Sequence, residues 1–256
     1  EQGPTVAPVL LINSDEEIGS RESGATIDRL ARLSCRAFIM EPGLGPAGDL
    51  KTARKGLGRF TVTVEGKAAH AGLDPEKGVS AILELSMVIQ KLFALNDPEH
   101  GVTVNVGTIE GGLRANVVAP SSEAVVDVRV LRHEDAVRIE QAIRCLEPST
   151  PGTTLTVTGR FGRPPMERTP GNVALFHTAR RIGAELGIEL DETTAGGGSD
   201  GNTTSQRTPT LDGLGPVGDG AHAPHEQVSL DSVVRRSALL AALMMEPARR
   251  HERSTP

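Results

Sequence analysis

Val9-Leu10-Leu11-Ile12-Asn13-Ser14-Asp15-Glu16-Glu17-Ile18-Gly19-Ser20 joins a short apolar run to three consecutive acids. Residues 9–12 read as a strand of a parallel sheet covered on both faces, because such strands carry continuous rather than alternating apolar residues. Asp15, Glu16 and Glu17 would then stand at its carboxyl end, where open α/β sheets place their ligands. Neighbouring extended residues point in opposite directions. Two adjacent glutamates can therefore serve one site in two roles, one on a metal and one on a proton. An isolated acidic triplet is equally what a solvated turn looks like. Other segments have to decide.

Working outward, residues 6–13 predict a strand, 22–33 an amphipathic helix and 36–40 a second apolar strand ending at Glu41. That is a βαβ rhythm with acids at both strand ends. From Arg54 the pattern changes. Phe60, Val62 and Val64 alternate with polar residues, as in a sheet with one wet face. A helix over 79–95, strands over 102–109 and 124–131, a helix over 134–146 and a strand over 153–161 complete a ferredoxin-like α+β module. Arg163-Pro164-Pro165 is a stiff boundary. Helix, strand and helix return over 173–186, 208–214 and 229–245, the last with Ser229 as its N-cap. The expected organisation is an α/β domain from residues 1–52 and 166–256, interrupted by an α+β module over 53–165.

The 256 residues allow one or two domains at roughly 100–200 residues each. Trp and Tyr are absent, so the core rests on Leu, Val, Ile, Ala and five Phe. The net charge is −6 and no Lys/Arg block stands out, which argues against a nucleic-acid partner. Arg249, Arg250 and Arg253 form a short basic tail, read as a solvated chain end. No apolar run approaches the ~18 residues of a membrane span, so no membrane is expected. Cys35 and Cys145 give neither a disulfide framework nor a zinc ribbon, which fits a reducing compartment and a cytoplasmic location.

Two further stretches suggest chemistry. Gly196-Gly197-Gly198-Ser199-Asp200-Gly201 is a glycine-rich turn without the Lys-Ser/Thr of a P-loop. Asp200 reads as a turn residue bonding its own backbone. Gly218-Asp219-Gly220-Ala221-His222-Ala223-Pro224-His225-Glu226 places two histidines in a loop, and Pro224 argues that only one of them ligates a metal. His177, within a helix, reads as structural.

In order along the chain stand Asp15-Glu16-Glu17-Ile18-Gly19-Ser20, Met40-Glu41-Pro42, Gly66-Lys67-Ala68-Ala69-His70-Ala71-Gly72, Asn116 before Pro120, Gly197-Gly198-Ser199-Asp200, and Ala221-His222 with Glu226. This series resembles the di-zinc amidohydrolases of metallopeptidase family twenty, nearest their glutamate carboxypeptidase branch. The resemblance implies a zinc-peptidase-like α/β catalytic domain with an inserted dimerisation or lid domain. It implies Glu16 as general base, Glu17 and His222 on one zinc, and Glu41 on the other; cobalt or manganese are possible replacements. A zinc-bound water would ionise near pH ~7. His70 would be an oxyanion donor presented to the partner of a homodimer. Asn116, Arg129, Gly198 and Ser199 would hold a substrate carboxylate. The activity implied is cleavage of an amide beside a free carboxylate, such as release of a carboxyl-terminal glutamate from a small peptide. Deacylation of an N-acyl amino acid, desuccinylation, or a silent fragment that only dimerises are the alternatives.

One departure matters. Family members carry a His-x-Asp strand end and a metal-bridging Asp ahead of the Glu-Glu segment. Here only 14 residues, beginning Glu1-Gln2-Gly3-Pro4, precede Asp15, and the one His-x-Asp spacing, His133-Glu134-Asp135, falls in the inserted module. The expectation is an amino-terminal part missing and a half-built metal site.

Overall fold

The computed structural model describes residues 6–247, so Arg249, Arg250 and Arg253 lie outside the described residues. Along the chain run α1 (Gly24–Leu33), β1 (Ala37–Phe38), β2 (Leu50–Arg54), β3 (Gly56–Glu65), α2 (Ala81–Phe93), β4 (Thr103–Gly111) and β5 (Ser121–Val130). Then follow α3 (His133–Arg144), β6 (Thr154–Arg163), α4 (Pro170–Glu185), β7 (Glu192–Ala195) and α5 (Gly201–Thr204). β8 (Thr210–Leu211), β9 (Gly218–Asp219), β10 (Gln227–Val228) and α6 (Leu230–Met245) complete the series. The chain divides into two compact units, one spanning Gly56–Pro165 and the other formed by the segments on either side of it.

The continuous unit is an antiparallel sheet in the order β4-β5-β3-β6 with two helices. Its strand–helix–strand–strand–helix–strand sequence and sheet order are those of a ferredoxin-like fold. Alternation decides which residues go inside: Phe60, Val62 and Val64 of β3 and Ala124, Val126, Val128 and Val130 of β5 are buried. Leu85, Val88 and Leu92 of α2 and Ile139 and Ile143 of α3 close over that same face. Each Phe, Val, Leu or Ile among them contributes about 1.5–3 kcal/mol on leaving water. Gly66 shows why a glycine opens the Gly66-Lys67 stretch, since a Cβ there would collide with the Val79 carbonyl oxygen.

In the other unit β1 pairs in parallel with β8 and β2 with β7, and an antiparallel bridge from Lys51 to Asp212 links β2 to the end of β8. Leu50, Leu211 and Leu214 meet Phe176, Ala179 and Ile182 of α4 and Leu239 and Leu243 of α6 in one core. Thr169 and Ser229 cap α4 and α6, accepting hydrogen bonds from the Asn172 and Ser232 amides. No helix among the described residues is long and apolar enough to cross a membrane.

Residues 9–12 correct the opening expectation. They form no strand, and Val9, Leu10, Leu11 and Ile12 are between 41% and 82% exposed. A strand needs a neighbour for its backbone N–H and C=O groups, and none of the described residues pairs with this run. The expected strands over 36–40 and 208–214 shrink to the two-residue pair β1 and β8.

Candidate metal and catalytic site

Beyond the apolar run the chain turns through a single 3-10 turn, Glu16–Ile18. Asp15 does not project from it. One of its oxygens accepts the Glu22 amide at 2.8 Å and the Ser23 amide at 3.1 Å, and the other accepts the Ser23 hydroxyl at 2.6 Å. The Ser23 hydroxyl and amide, with the Glu22 amide, hold the Asp15 carboxyl down at about 2. Asp15 thus ties the acidic turn to the start of α1 and leaves Glu16 and Glu17 to the site.

His222 comes from the loop closing the β9–β10 hairpin, and its Nε2 stands 3.7 Å from Glu17 Oε2. Two ligands held about 2.0–2.2 Å from one tetrahedral zinc stand roughly 3.4 Å apart, so the pair suits a shared cation. Both side chains are open to solvent. The non-glycine residues with positive φ among those described are Ser20 at 50° and His222 at 63°. Each such conformation costs about 1–3 kcal/mol, and strain of this kind gathers at working sites.

Glu41 follows β1, its carbonyl accepting the Gly215 amide at 2.9 Å. Burial raises its carboxyl above the usual range, and the Asp212 carboxylate adds to this, while Arg54 and Lys51 oppose it and Glu17 raises it slightly further. Among the described residues, however, no group of three or more His, Cys, Asp or Glu could hold a metal ion. The chemistry of Glu17 and His222 suits zinc, but the donor set falls short of the three or four ligands zinc takes.

Asp212 was not anticipated. It is fully buried and forms a two-pronged pair with Arg54, Nε donating to Oδ2 at 2.7 Å and Nη2 to Oδ1 at 3.0 Å. Arg54 Nη1 also donates to the Gly197 carbonyl at 3.0 Å, clamping the glycine-rich turn. Ser199 is fully buried and donates its hydroxyl to Asp212 Oδ2 at 2.5 Å. That hydroxyl is thereby committed to Asp212, as a buried carboxylate requires hydrogen-bond donors. Gly198 lies in the same turn, its carbonyl 3.4 Å from Arg54 Nη1. Gly201 has to be glycine: a Cβ would lie 2.7 Å from Asp212 Oδ2. Asp200 also departs from its reading as a self-bonded turn residue, because its carboxylate accepts hydrogen bonds from Asn13 and Ser20. The missed signal was an acid at a strand end, Leu211-Asp212, like that at Met40-Glu41, together with two cations inside Leu50-Lys51-Thr52-Ala53-Arg54.

In the ferredoxin-like unit, His70 forms a bridge with Val117, and Ala71 donates its amide to the Asn116 carbonyl at 3.0 Å. His70 and Asn116 thus share one end of the unit. The Gly72 and Leu73 amides both donate to His70 Nδ1 at 3.1 Å. Arg129 stands at the other end, opposite Leu57, while Ser121 pairs with Glu65. At ~3.4 Å per residue the strand separates Ser121 from Arg129 by about 27 Å. Its Nε donates to Asp127 Oδ1 at 2.9 Å, so Arg129 does not join Asn116 on this unit.

Residues 52–146 match the peptidase dimerisation domain of the M20 family. The chain is 29% identical to carboxypeptidase G2 of Pseudomonas sp. (strain RS-16) over 247 residues, which cover 93% of this chain and 58% of that protein. The chain is a relative of the M20 peptidases. It spans just over half the length of the curated relatives it matches. Its fold is also that of the aminopeptidase PepT from Bacillus cereus, with a TM-score of 0.76 at 24% identity over 90% of this chain and 62% of that one. The YXEP protein of Bacillus subtilis, described as a dinuclear metal binding peptidase from the M20 family, superposes with a TM-score of 0.65 at 16% identity, covering 90% and 62%.

Proposed function

We propose that this M20 relative carries part of the active site of a zinc-dependent hydrolase that cleaves an amide next to a free carboxylate, such as a carboxyl-terminal glutamate. The observation that carries the reading is the Glu17–His222 pair, 3.7 Å apart and directly beside Glu16, with strained backbone at His222 itself and at nearby Ser20. The name of carboxypeptidase G2 supports the carboxypeptidase reading over a deacylase or desuccinylase. Glu17 and His222 would hold one zinc and Glu41 a second, with further donors needed to complete the set. Zinc bound there would act as a Lewis acid.

In this reading Glu16 accepts a proton from the water that attacks the scissile carbonyl. The C–N bond breaks, and the same proton passes to the departing amine. His70 of a second copy donates to the carbonyl oxygen as it gains charge, which matches the match of residues 52–146 to a dimerisation domain. Asn116, Arg129, Gly198 and Ser199 are the candidates for the substrate carboxylate.

The test uses the full-length protein that contains this chain. Glu16→Ala should lower kcat on a glutamate-terminated dipeptide by at least about 10²-fold, the lower end for a general base, and keep its metal. Glu17→Ala should lose both metal and rate. A full rate for Glu16→Ala would remove this mechanism. A second reading, a silent chain that only dimerises, is favoured by the incomplete donor set. Dimerisation with no measurable metal uptake by the full-length protein would select it.

A further inference from the structure

Asp200 has no part in the chemistry proposed above, yet its carboxylate joins two stretches that the reaction requires together. Asn13 Nδ2 donates to Oδ2 at 2.9 Å, and the Ser20 hydroxyl, 180 residues away in sequence, donates to Oδ1. Asn13 and Ser20 bracket the acidic turn. Ser20 is buried and sits at φ 50°, a conformation a serine does not hold without support. Asp200 is itself held from behind. Ser199 is fixed by Asp212, Gly201 donates its amide to Ser199 Oγ at 3.0 Å, and the Ser199 amide donates to Asn202 Oδ1 at 2.9 Å.

We propose that Asp200 is a positioning residue, which holds Ser20 in its left-handed conformation and thereby sets the turn that presents Glu16 and Glu17 to His222. The proposal rests on the hydrolase reading and deepens it. A carboxylate suits the position because both of its oxygens accept, one from each side of the turn. The buried Arg54–Asp212 pair supplies the fixed point on which the arrangement is built.

The experiment compares Asp200→Ala, Ser20→Ala and their double variant with Glu17→Ala, all in the full-length protein. Rates, bound metal and thermal midpoint are measured, with amide hydrogen exchange of the metal-free form. Each single variant should lose about 10–100-fold in kcat or metal affinity, the range for groups that orient ligands. The double variant should be no worse than the poorer single one, because both break the same bond. In metal-free protein the Gly19 and Ser20 amides, bonded to the Glu16 and Asp15 carbonyls at 2.8 and 2.7 Å, should exchange faster while those of α4 and α6 do not. Single losses that multiply, rates within about twofold of wild type, or faster exchange spread evenly over the unit would each overturn the proposal. If Asp200→Ala fails to fold, Ser20→Ala still removes the bond and decides. A wild-type rate for Glu17→Ala would reject the hydrolase reading instead, and the metal-free exchange would still judge Asp200.

Discussion

Arg54 and Asp212 show how much one pair of residues can determine. At 5% and 0% side-chain exposure the pair has no water to fall back on. Removing one partner of a buried pair costs about 3–5 kcal/mol, because the other charge stays behind uncompensated. Arg54→Met should therefore lower unfolding stability in urea by about that amount. The double variant Arg54→Met, Asp212→Leu should recover most of it. Equal losses in both would show that the packing of the arginine stem, not its charge, matters. His70 supports a second prediction at this scale. Two amides donate to Nδ1, so that nitrogen must offer a lone pair and the neutral ring carries its proton on Nε2. Nitrogen NMR of the neutral ring should find the Nε2–H tautomer, and a Nδ1–H tautomer would leave His70 without an aimed donor.

At the scale of elements, α2 carries a buried carboxylate with a purpose. Glu84 is fully buried, and its oxygens accept the Ser149 and Thr150 amides at 2.9 and 2.7 Å. Burial pushes its carboxyl up, but the Thr150 and Ser149 hydrogen bonds outweigh this and hold it below the usual range. A carboxyl depressed in the folded state contributes stability that is present above its unfolded pKa of about 4.3. That stability is lost as pH falls through the lower folded value. Glu84→Gln should lower the thermal midpoint at pH 7, and the gap to wild type should narrow as the pH falls below about 4. A gap independent of pH would mean that the two hydrogen bonds do not need the charge. The helices were legible in advance because their apolar residues recur at 3.6, as Leu85, Val88 and Leu92 do. β3 and β5 were legible through strict alternation. β2 was not, because its five residues are all buried yet include Lys51, which donates to the Pro42 carbonyl, and Arg54, whose partner Asp212 lies far along the chain. Residues 9–12 misled for the opposite reason. Apolar character marks a preference for burial but cannot supply the neighbour that burial needs.

For the whole molecule, the family resemblance and the mixed α/β class were readable from the ordered motifs, and the match to the M20 dimerisation domain agrees with them. The individual site was less readable. The acidic turn, the glycine-rich turn and the histidine loop could be named, but not the Asp200 bonds or the Arg54–Asp212 pair that join them, since these depend on contacts 158 to 187 residues apart. The ferredoxin-like unit has its own core, so residues 56–165 expressed alone should melt cooperatively. If the match to a dimerisation domain describes this chain, that unit should also sediment at twice its monomer mass. A monomer at all accessible concentrations would place any dimer contact elsewhere.

The border between the two units has a consequence for how such a chain can be edited. Arg54 and Met166 exchange both backbone hydrogen bonds, at 2.9 and 3.0 Å, and just beyond them Leu57 lies opposite Arg163. The ferredoxin-like unit therefore leaves and re-enters its host through one rung of a ladder, much as a long loop closes on its own stem. Closing so many residues costs the host little more entropy than closing a few, because that cost grows only with the logarithm of length. The junction behaves as a socket. Replacing residues 56–165 by Asn-Gly, which with Lys55 makes a three-residue hairpin loop ending in glycine between the paired Arg54 and Met166, should leave the host's core able to assemble, and so should exchanging the insert for another domain whose ends emerge side by side.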